Sequence, residues 1–253
     1  MTEHPRNDVA TVSALAVLAM CTVTFDHEAL GHGGLCLALG GHLTLLTTSL
    51  FACDLPTIWL APAGPAMNVF MGTLALIALR FVPQRRPELK LFLILVTAFS
   101  YFWEGGYIVQ AMIEQKGDMY YAFRYTVGVP SPAGRAALAV PGVALYVLTL
   151  VITQKSLAGL GFGAQQTRVV ARTAWLAATL AAFAASLASR HGWSNVRDTV
   201  MSIGLASVPL LIMSLRSGEA VVACPVIARR PVIIALAVCV LAVFVMTMGR
   251  GIG

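Results

Sequence analysis

The sequence predicts an all-α, polytopic integral membrane protein, and three properties of the chain lead to this fold class. Of its 253 residues 58% are hydrophobic and only 11% are charged, whereas soluble domains have about a quarter charged residues. The mean hydropathy is +0.81. Apolar runs also recur along the chain at about the 20 residues that a membrane-spanning helix needs. These properties exclude a soluble globular protein.

Eight apolar segments are expected to cross the membrane as helices. The first is short and directly precedes a polar motif, so it is a half-helix, a removable signal or a continuation of the second. No basic cluster or clean small-residue cleavage site accompanies it, which argues against a signal peptide. Polar connections separate the later segments. The eight segments are 9–25, 29–51, 57–79, 91–113, 136–154, 169–189, 199–215 and 231–248.

The basic residues are explained by membrane topology and do not indicate a nucleic-acid partner. With their flanks, the third, fifth and seventh loops hold ten Lys and Arg residues, and the fourth and sixth hold five. The positive-inside rule places the odd-numbered loops, with Arg85 and Arg230, in the cytoplasm. Both termini and Cys53 would then face outward, and the polar motif at the start of the second span would lie toward the cytoplasmic side.

The five cysteines show no metal-binding spacing. Cys53 lies in a short polar connection and is the one expected to be redox-active or disulfide-bonded, with no partner indicated. The other four lie within or beside apolar runs, where a thiol usually packs as a small hydrophobic side chain. They are Cys21, Cys36, Cys224 and Cys239.

No soluble domain, low-complexity tract or repeat interrupts the chain, so residues 1–253 are expected to form one helical membrane domain. Polar groups within the apolar runs concentrate in residues 1–130, which therefore form the expected functional core. Residues 131–253 add further transmembrane helices. Surrounding lipid is the one partner that this composition requires.

Residues 26–32 read Asp-His-Glu-Ala-Leu-Gly-His and lie between apolar runs. Placing ionisable groups in or beside hydrocarbon is costly, so the cluster indicates a functional site. A plainer alternative makes Asp26 the N-cap of the second helix, with Glu28 in its first turn and the histidines at the membrane interface.

The spacing of the two histidines restricts how they bind a metal. His27 and His32 are five positions apart, so a regular α-helix places them about 140° from each other. A π-turn inserts one residue and restores them to one face, and such turns are frequent at functional sites. Alternatively, Glu28 and His32 form the ligand pair, and His27 serves as a base or supports a ligand.

His27-Glu28-Ala29-Leu30-Gly31-His32, with the apolar run and glycines that follow it, resembles the site-2-protease family of intramembrane zinc metallopeptidases. A second element, Gly64-Pro65-Ala66-Met67-Asn68, resembles that family's Gly-Pro-x-x-Asn sequence on the next helix. Together the two elements cover roughly residues 20–125. The family's signature has one residue fewer between the histidines, and its later Asp-Gly element is absent here.

The resemblance implies a Zn²⁺ site formed by His27, His32 and a later acid. Glu104, inside an apolar span, and Asp118, in the loop after it, are both candidates, and the sequence does not rank them. Glu28 would be the general base, and Asn68 would orient the substrate or stabilise an oxyanion.

The implied substrate is a transmembrane protein, and the implied location is a multi-pass protein of a bacterial inner membrane. Two other classes stay open. One is an inactive relative that binds metal or acts as an assembly or regulatory subunit. The other is a transporter or channel that uses the buried acids as a proton or ion path.

Overall fold

The computed structural model describes residues 6–213 and 226–253, and this part of the protein is mostly helical. It contains six helices that are long and apolar enough to cross a membrane, rather than the eight expected. The prediction of a helical membrane protein is therefore confirmed at this level. The six helices are Val9–Ala38, Leu60–Leu79, Pro87–Glu114, Pro132–Ala158, Ala164–Leu187 and Pro231–Gly249.

The first predicted span continues into the second, which was one of the three expected alternatives, and together 9–25 and the start of 29–51 form one helix that ends at Ala38. It consists of α1 (Val9–Phe25), a π-helical segment (Asp26–Gly33) and α2 (Gly34–Ala38). The N-cap is Asp8, whose side chain accepts a hydrogen bond from the amide of Thr11. Asp26 is thus a residue inside a helix, and the prediction that it could cap a second helix was wrong.

The remainder of the predicted span 29–51 is not helical. After α2 the backbone turns at Gly40, which has a φ of +83°, a conformation that glycine adopts without strain. Strands β1 (Leu43–Leu46) and β2 (Phe51–Cys53) then form an antiparallel hairpin.

A disulfide joins Cys36 in α2 to Cys53 in β2. The expectation that Cys53 is disulfide-bonded is confirmed, whereas the expectation that Cys36 is an ordinary buried thiol was wrong. Cys21 is a buried free thiol and Cys239 an exposed one, and Cys224 lies outside the described residues.

The later helices include α3 (Leu60–Leu79), α4 (Pro87–Glu114), α5 (Asp118–Val127), α6 (Pro132–Ala158), α7 (Ala164–Leu187) and α9 (Pro231–Phe244), the last continued by a π-helical segment (Val245–Gly249). The middle of α4 is almost wholly buried, because α4 packs against α1, α3 and α6. Glycines allow the α6 contact, since a Cβ on Gly105 would lie 2.9 Å from the Tyr146 nitrogen. The helix α1 also packs against α7 and α9.

The predicted span 199–215 is a broken segment in its described part and not a regular helix. It consists of α8 (Trp193–Val200), a π-helical segment (Met201–Leu205) and a 3₁₀ turn (Val208–Leu211). Pro209 lacks an amide hydrogen, which favours the break. Side chains donate hydrogen bonds to carbonyls near the break. Tyr146 Oη, for example, donates to the Ala206 oxygen at 2.7 Å.

The described chain has two distinct ends, named here the basic end and the hairpin end. At the basic end the Asp8 amide donates to the Ile227 carbonyl, and Arg230 pairs with Glu88. At the hairpin end β1 bridges to Ile252 near the C-terminus. The basic end has Arg6, Arg80, Arg85, Arg86, Lys90, Lys155, Arg168, Arg172, Arg229 and Arg230; the hairpin end has Lys116, Arg124, Arg135, Arg190, Arg197 and Arg250.

This arrangement corrects the expected position of the motif. Because α1 and α2 form one helix, the start of the described chain lies at the same end as Arg230, and His27 and His32 lie toward the hairpin end. The sequence predicts both termini at one end and the motif at the end with Arg85, and the structure differs from this prediction.

Candidate metal centre

The π-helical segment brings the two motif histidines together. Its wider hydrogen bonding is seen in the Gly34 amide, which donates to the Ala29 carbonyl five residues earlier. The Nε2 atoms of His27 and His32 are consequently only 3.3 Å apart. The expected π-turn between the histidines is confirmed, and the regular helix that would have paired Glu28 with His32 is not found.

Asp118 is the acid that faces these nitrogens. Its Oδ2 atom lies 3.3 Å from His32 Nε2 and 3.7 Å from His27 Nε2. One potential ligand atom from each of the three residues lies within 4.8 Å of the others. Burial raises the pKa of the Asp118 carboxyl, but the hydrogen bonds with the two histidine rings outweigh it and hold the pKa well below its usual range.

Glu104, the other candidate acid, contacts the opposite side of the His27 ring. Its Oε1 lies 2.9 Å from His27 Nδ1, so Glu104 is not a member of the three-residue ligand group. The expectation that it might be a direct ligand is corrected by this geometry. A carboxylate behind a histidine is the usual partner that orients a metal-binding imidazole.

Asn68 supports the same contact and does not face the cavity beside the histidines. Its Nδ2 donates to Glu104 Oε1 at 2.8 Å and lies 3.2 Å from His27 Nδ1. The structure therefore places Asn68 against Glu104 and His27, outside the lining of that cavity. Because Glu104 Oε1 accepts this hydrogen bond, it acts as an acceptor toward His27 as well.

Both histidines thus use Nδ1 for a hydrogen bond to an acceptor. His32 Nδ1 lies 2.7 Å from the carbonyl oxygen of Leu60, and His27 Nδ1 faces Glu104. Each Nδ1 carries the hydrogen, so a neutral ring would direct its Nε2 lone pair toward the other ring and toward the Asp118 carboxylate. Three acceptors that converge in this way repel one another unless a proton or a metal cation lies between them.

Residues that the sequence did not single out hold the two rings in place. Trp103 stacks on His27 with a centroid distance of 4.4 Å and an interplanar angle of 10°, and Phe51 of the hairpin stacks on His32 at 5.0 Å and 16°. Neither aromatic residue has a motif that would have identified it.

Two glycines allow α3 to approach the histidines. A Cβ on Gly64 would lie 2.6 Å from His27 Nε2 and would also overlap His32 Nε2, and a Cβ on Gly31 would lie 2.6 Å from the Gly64 Cα. The backbone of Gly64 therefore forms one wall of the site. This close approach explains why the Gly64–Asn68 element begins with glycine.

A cavity of about 260 Å³ opens beside the three ligand residues, and Glu28 lines it. The Glu28 side chain is 3% exposed and makes no hydrogen bond or salt bridge with any described residue. A buried carboxylate without a partner is costly, and one that faces a cavity is available to exchange protons with its contents. The other lining residues include Ser49, Leu50, Tyr107, Gln110, Lys116 and Tyr121.

The donor set fits a catalytic zinc ion. Two imidazole nitrogens and one carboxylate oxygen, with a cavity on the remaining side, match the three protein ligands and open position of such sites. The hydrogen-bond partners of the two histidines also match those of zinc sites, since His27 donates to a carboxylate and His32 to a backbone carbonyl.

Comparison of the chain with protein-family models, with curated proteins and with solved structures gives no match.

Proposed function

We propose that the protein is a zinc-dependent hydrolase that cleaves peptide bonds of membrane-embedded substrates. The observation that carries the proposal is the convergence of His27 Nε2, His32 Nε2 and Asp118 Oδ2 at the wall of a cavity that also contains the unpartnered Glu28. Zinc bound there supplies Lewis acidity and lowers the pKa of a water molecule toward about 7.

Glu28 has the position of a general base and acid. Its carboxylate is free of hydrogen bonds within the described structure, so it can take a proton from the attacking water and later return it to the leaving amine. Glu104 and Asn68 keep the His27 ring in the tautomer that presents Nε2.

The peptide as substrate is inferred from the resemblance of residues 27–32 and 64–68 to the site-2-protease family. Two observations support this inference. The π-turn brings the two histidines together despite the additional residue between them. Asp118, at the start of α5, brings a carboxylate to the histidines although the Asp-Gly element is absent.

The site is proposed to face the side of the membrane opposite the cytoplasm. The hairpin end has fewer basic residues than the basic end, and the positive-inside rule places the basic end in the cytoplasm. The Cys36–Cys53 disulfide independently favours an oxidising compartment at the hairpin end.

This orientation predicts the labelling of single cysteines in intact cells. In a variant with Cys21, Cys36, Cys53, Cys224 and Cys239 replaced by serine, Val129→Cys is expected to react with a membrane-impermeant maleimide, and Gln84→Cys only after lysis. Val129 is 69% exposed at the hairpin end, and Gln84 is exposed at the basic end. Labelling of Gln84→Cys in intact cells would place the site on the cytoplasmic side.

The proposed function is tested by zinc content together with cleavage. Protein purified in detergent without chelators is expected to contain about one Zn²⁺ per chain, and His32→Ala to contain none. Glu28→Gln, which lacks only the base, is expected to keep its zinc. New N-termini inside transmembrane segments of host proteins should appear in membranes containing the wild type and be absent with Glu28→Gln.

Two results would overturn the proposal. Wild-type protein without a transition metal would exclude a metalloenzyme. Zinc-loaded protein that produces no new N-termini dependent on Glu28 would exclude the peptidase and indicate a metal-binding protein without proteolytic activity.

A further inference from the structure

We infer that Tyr107 is a positioning residue that holds the Asp118 carboxylate at the metal centre. The inference rests on the metal binding proposed above and adds a residue that no motif indicated. Tyr107 makes two hydrogen bonds to one residue, Asp118: its hydroxyl donates to Oδ2 at 3.1 Å and accepts from the backbone amide at 2.9 Å.

Asp118 needs such support more than the two histidines do. His27 and His32 belong to one continuous helix and are 2% and 3% exposed, whereas the Asp118 side chain is 28% exposed. Asp118 also follows a tight turn in which Gln115 and Gly117 have positive φ angles, 56° and 91°. Nothing within this turn fixes the distance from Asp118 to the histidines.

Tyr107 is well placed to fix that distance. It lies on α4, one turn after Glu104, and its ring meets the His27 ring edge to face at 6.3 Å and 73°. The single Tyr107 side chain therefore contacts two of the three ligand residues, His27 and Asp118. The turn is shaped around it, since a Cβ on Gly117 would lie 2.6 Å from Tyr107 Oη.

The hydrogen bond also orients the oxygen that faces the histidines. Tyr107 Oη and both Nε2 atoms approach the same atom, Asp118 Oδ2. A carboxylate oxygen has two lone pairs, so one accepts from the tyrosine while the other is directed to the site. Loss of the hydroxyl frees the carboxylate to rotate away, which lowers metal affinity without removing a ligand.

Tyr107→Phe tests the inference, with Tyr101→Phe as its matched control. Tyr101 lies on the same helix, and its buried hydroxyl bonds Thr73 at 2.6 Å, away from the ligand group. Competition with a chromophoric chelator in detergent is expected to show zinc binding weakened about 10–100-fold in Tyr107→Phe, the range for residues that orient ligands. The control is expected to stay within about threefold of wild type. Co²⁺-loaded Tyr107→Phe should also show a changed ligand-field spectrum, because the carboxylate geometry changes.

An unchanged zinc affinity and Co²⁺ spectrum in Tyr107→Phe would overturn the inference while leaving the proposed function intact, whereas a metal-free wild type would overturn both. If Tyr107→Phe does not fold, Gly117→Ala is the second variant, because its Cβ would displace the Tyr107 hydroxyl and its φ of +91° would strain the turn that carries Asp118. Wild-type affinity in Gly117→Ala would then count against the inference.

Discussion

Replacing Gly64 with alanine is expected to abolish zinc binding. The new methyl carbon would lie 2.6 Å from His27 Nε2 and overlap His32 Nε2, which is far inside van der Waals contact. It would therefore occupy the space between the ligand atoms. Neither neighbour can yield easily, because Trp103 and Phe51 stack against the two rings and both Nδ1 atoms are hydrogen-bonded. An affinity loss of more than about 100-fold is expected, as when a ligand's orientation is destroyed.

Gly34→Ala is the matched control for this experiment. Gly34 is helical, lies two residues after His32, and a Cβ there would meet its nearest neighbour at 3.7 Å. Alanine at that site should stabilise the helix by about 0.5–1 kcal/mol and leave zinc content unchanged. Wild-type zinc affinity in Gly64→Ala would show that the ion does not bind between the two Nε2 atoms.

Deleting Ala29 is expected to preserve zinc binding, although deletions inside transmembrane helices usually disrupt the faces on either side. A π-turn contains one residue more than the α-helical turn it replaces. Removing Ala29 should convert the segment to regular α-helix, with the histidines four positions apart and about 40° from each other. Ala29 is only partly buried, so no core contact is lost.

The matched control inserts one alanine after Ala29. The histidines would then be six positions apart, and since the π-turn already accommodates the one additional residue, the second must rotate His32 away from His27. The insertion variant is expected to lose its zinc, whereas the Ala29 deletion should bind zinc with an affinity within about tenfold of that of wild type. Loss of zinc in the deletion and retention in the insertion would contradict the role assigned to the π-helical segment.

The sequence predicted the membrane class and most helices because hydropathy and length determine both. It left open whether 9–25 continues into 29–51, since the polar residues from Asp26 to His32 interrupt the hydropathy while the backbone hydrogen bonds continue. It also assigned the hairpin to a helix. An apolar run shorter than a full span fits a strand as well as a helix, and the disulfide and the bridge to Ile252 depend on distant residues.

The ligand candidates were partly predictable from local spacing. Helix geometry reduced the histidine motif to two alternatives, a π-turn that joins the histidines or a regular helix that pairs Glu28 with His32. The choice between Glu104 and Asp118 did not follow from local spacing, because it depends on the turn at Gln115–Gly117 that directs Asp118 back toward the histidines. The contacts of Asn68 could not be predicted for a related reason, since its neighbours come from two other helices.

The disulfide between Cys36 and Cys53 has a consequence for the supply of metal to the protein. It ties the hairpin, with the Phe51 ring that stacks on His32, to the end of the ligand helix. In the proposed orientation this bond forms only after the hairpin has left the reducing cytoplasm. The last ligand, Asp118, also reaches the centre from the hairpin end, so all three ligands meet outside the cytoplasm. Zinc would therefore be acquired from the extracytoplasmic pool, and the cytoplasmic zinc concentration would not determine the fraction of protein that holds zinc.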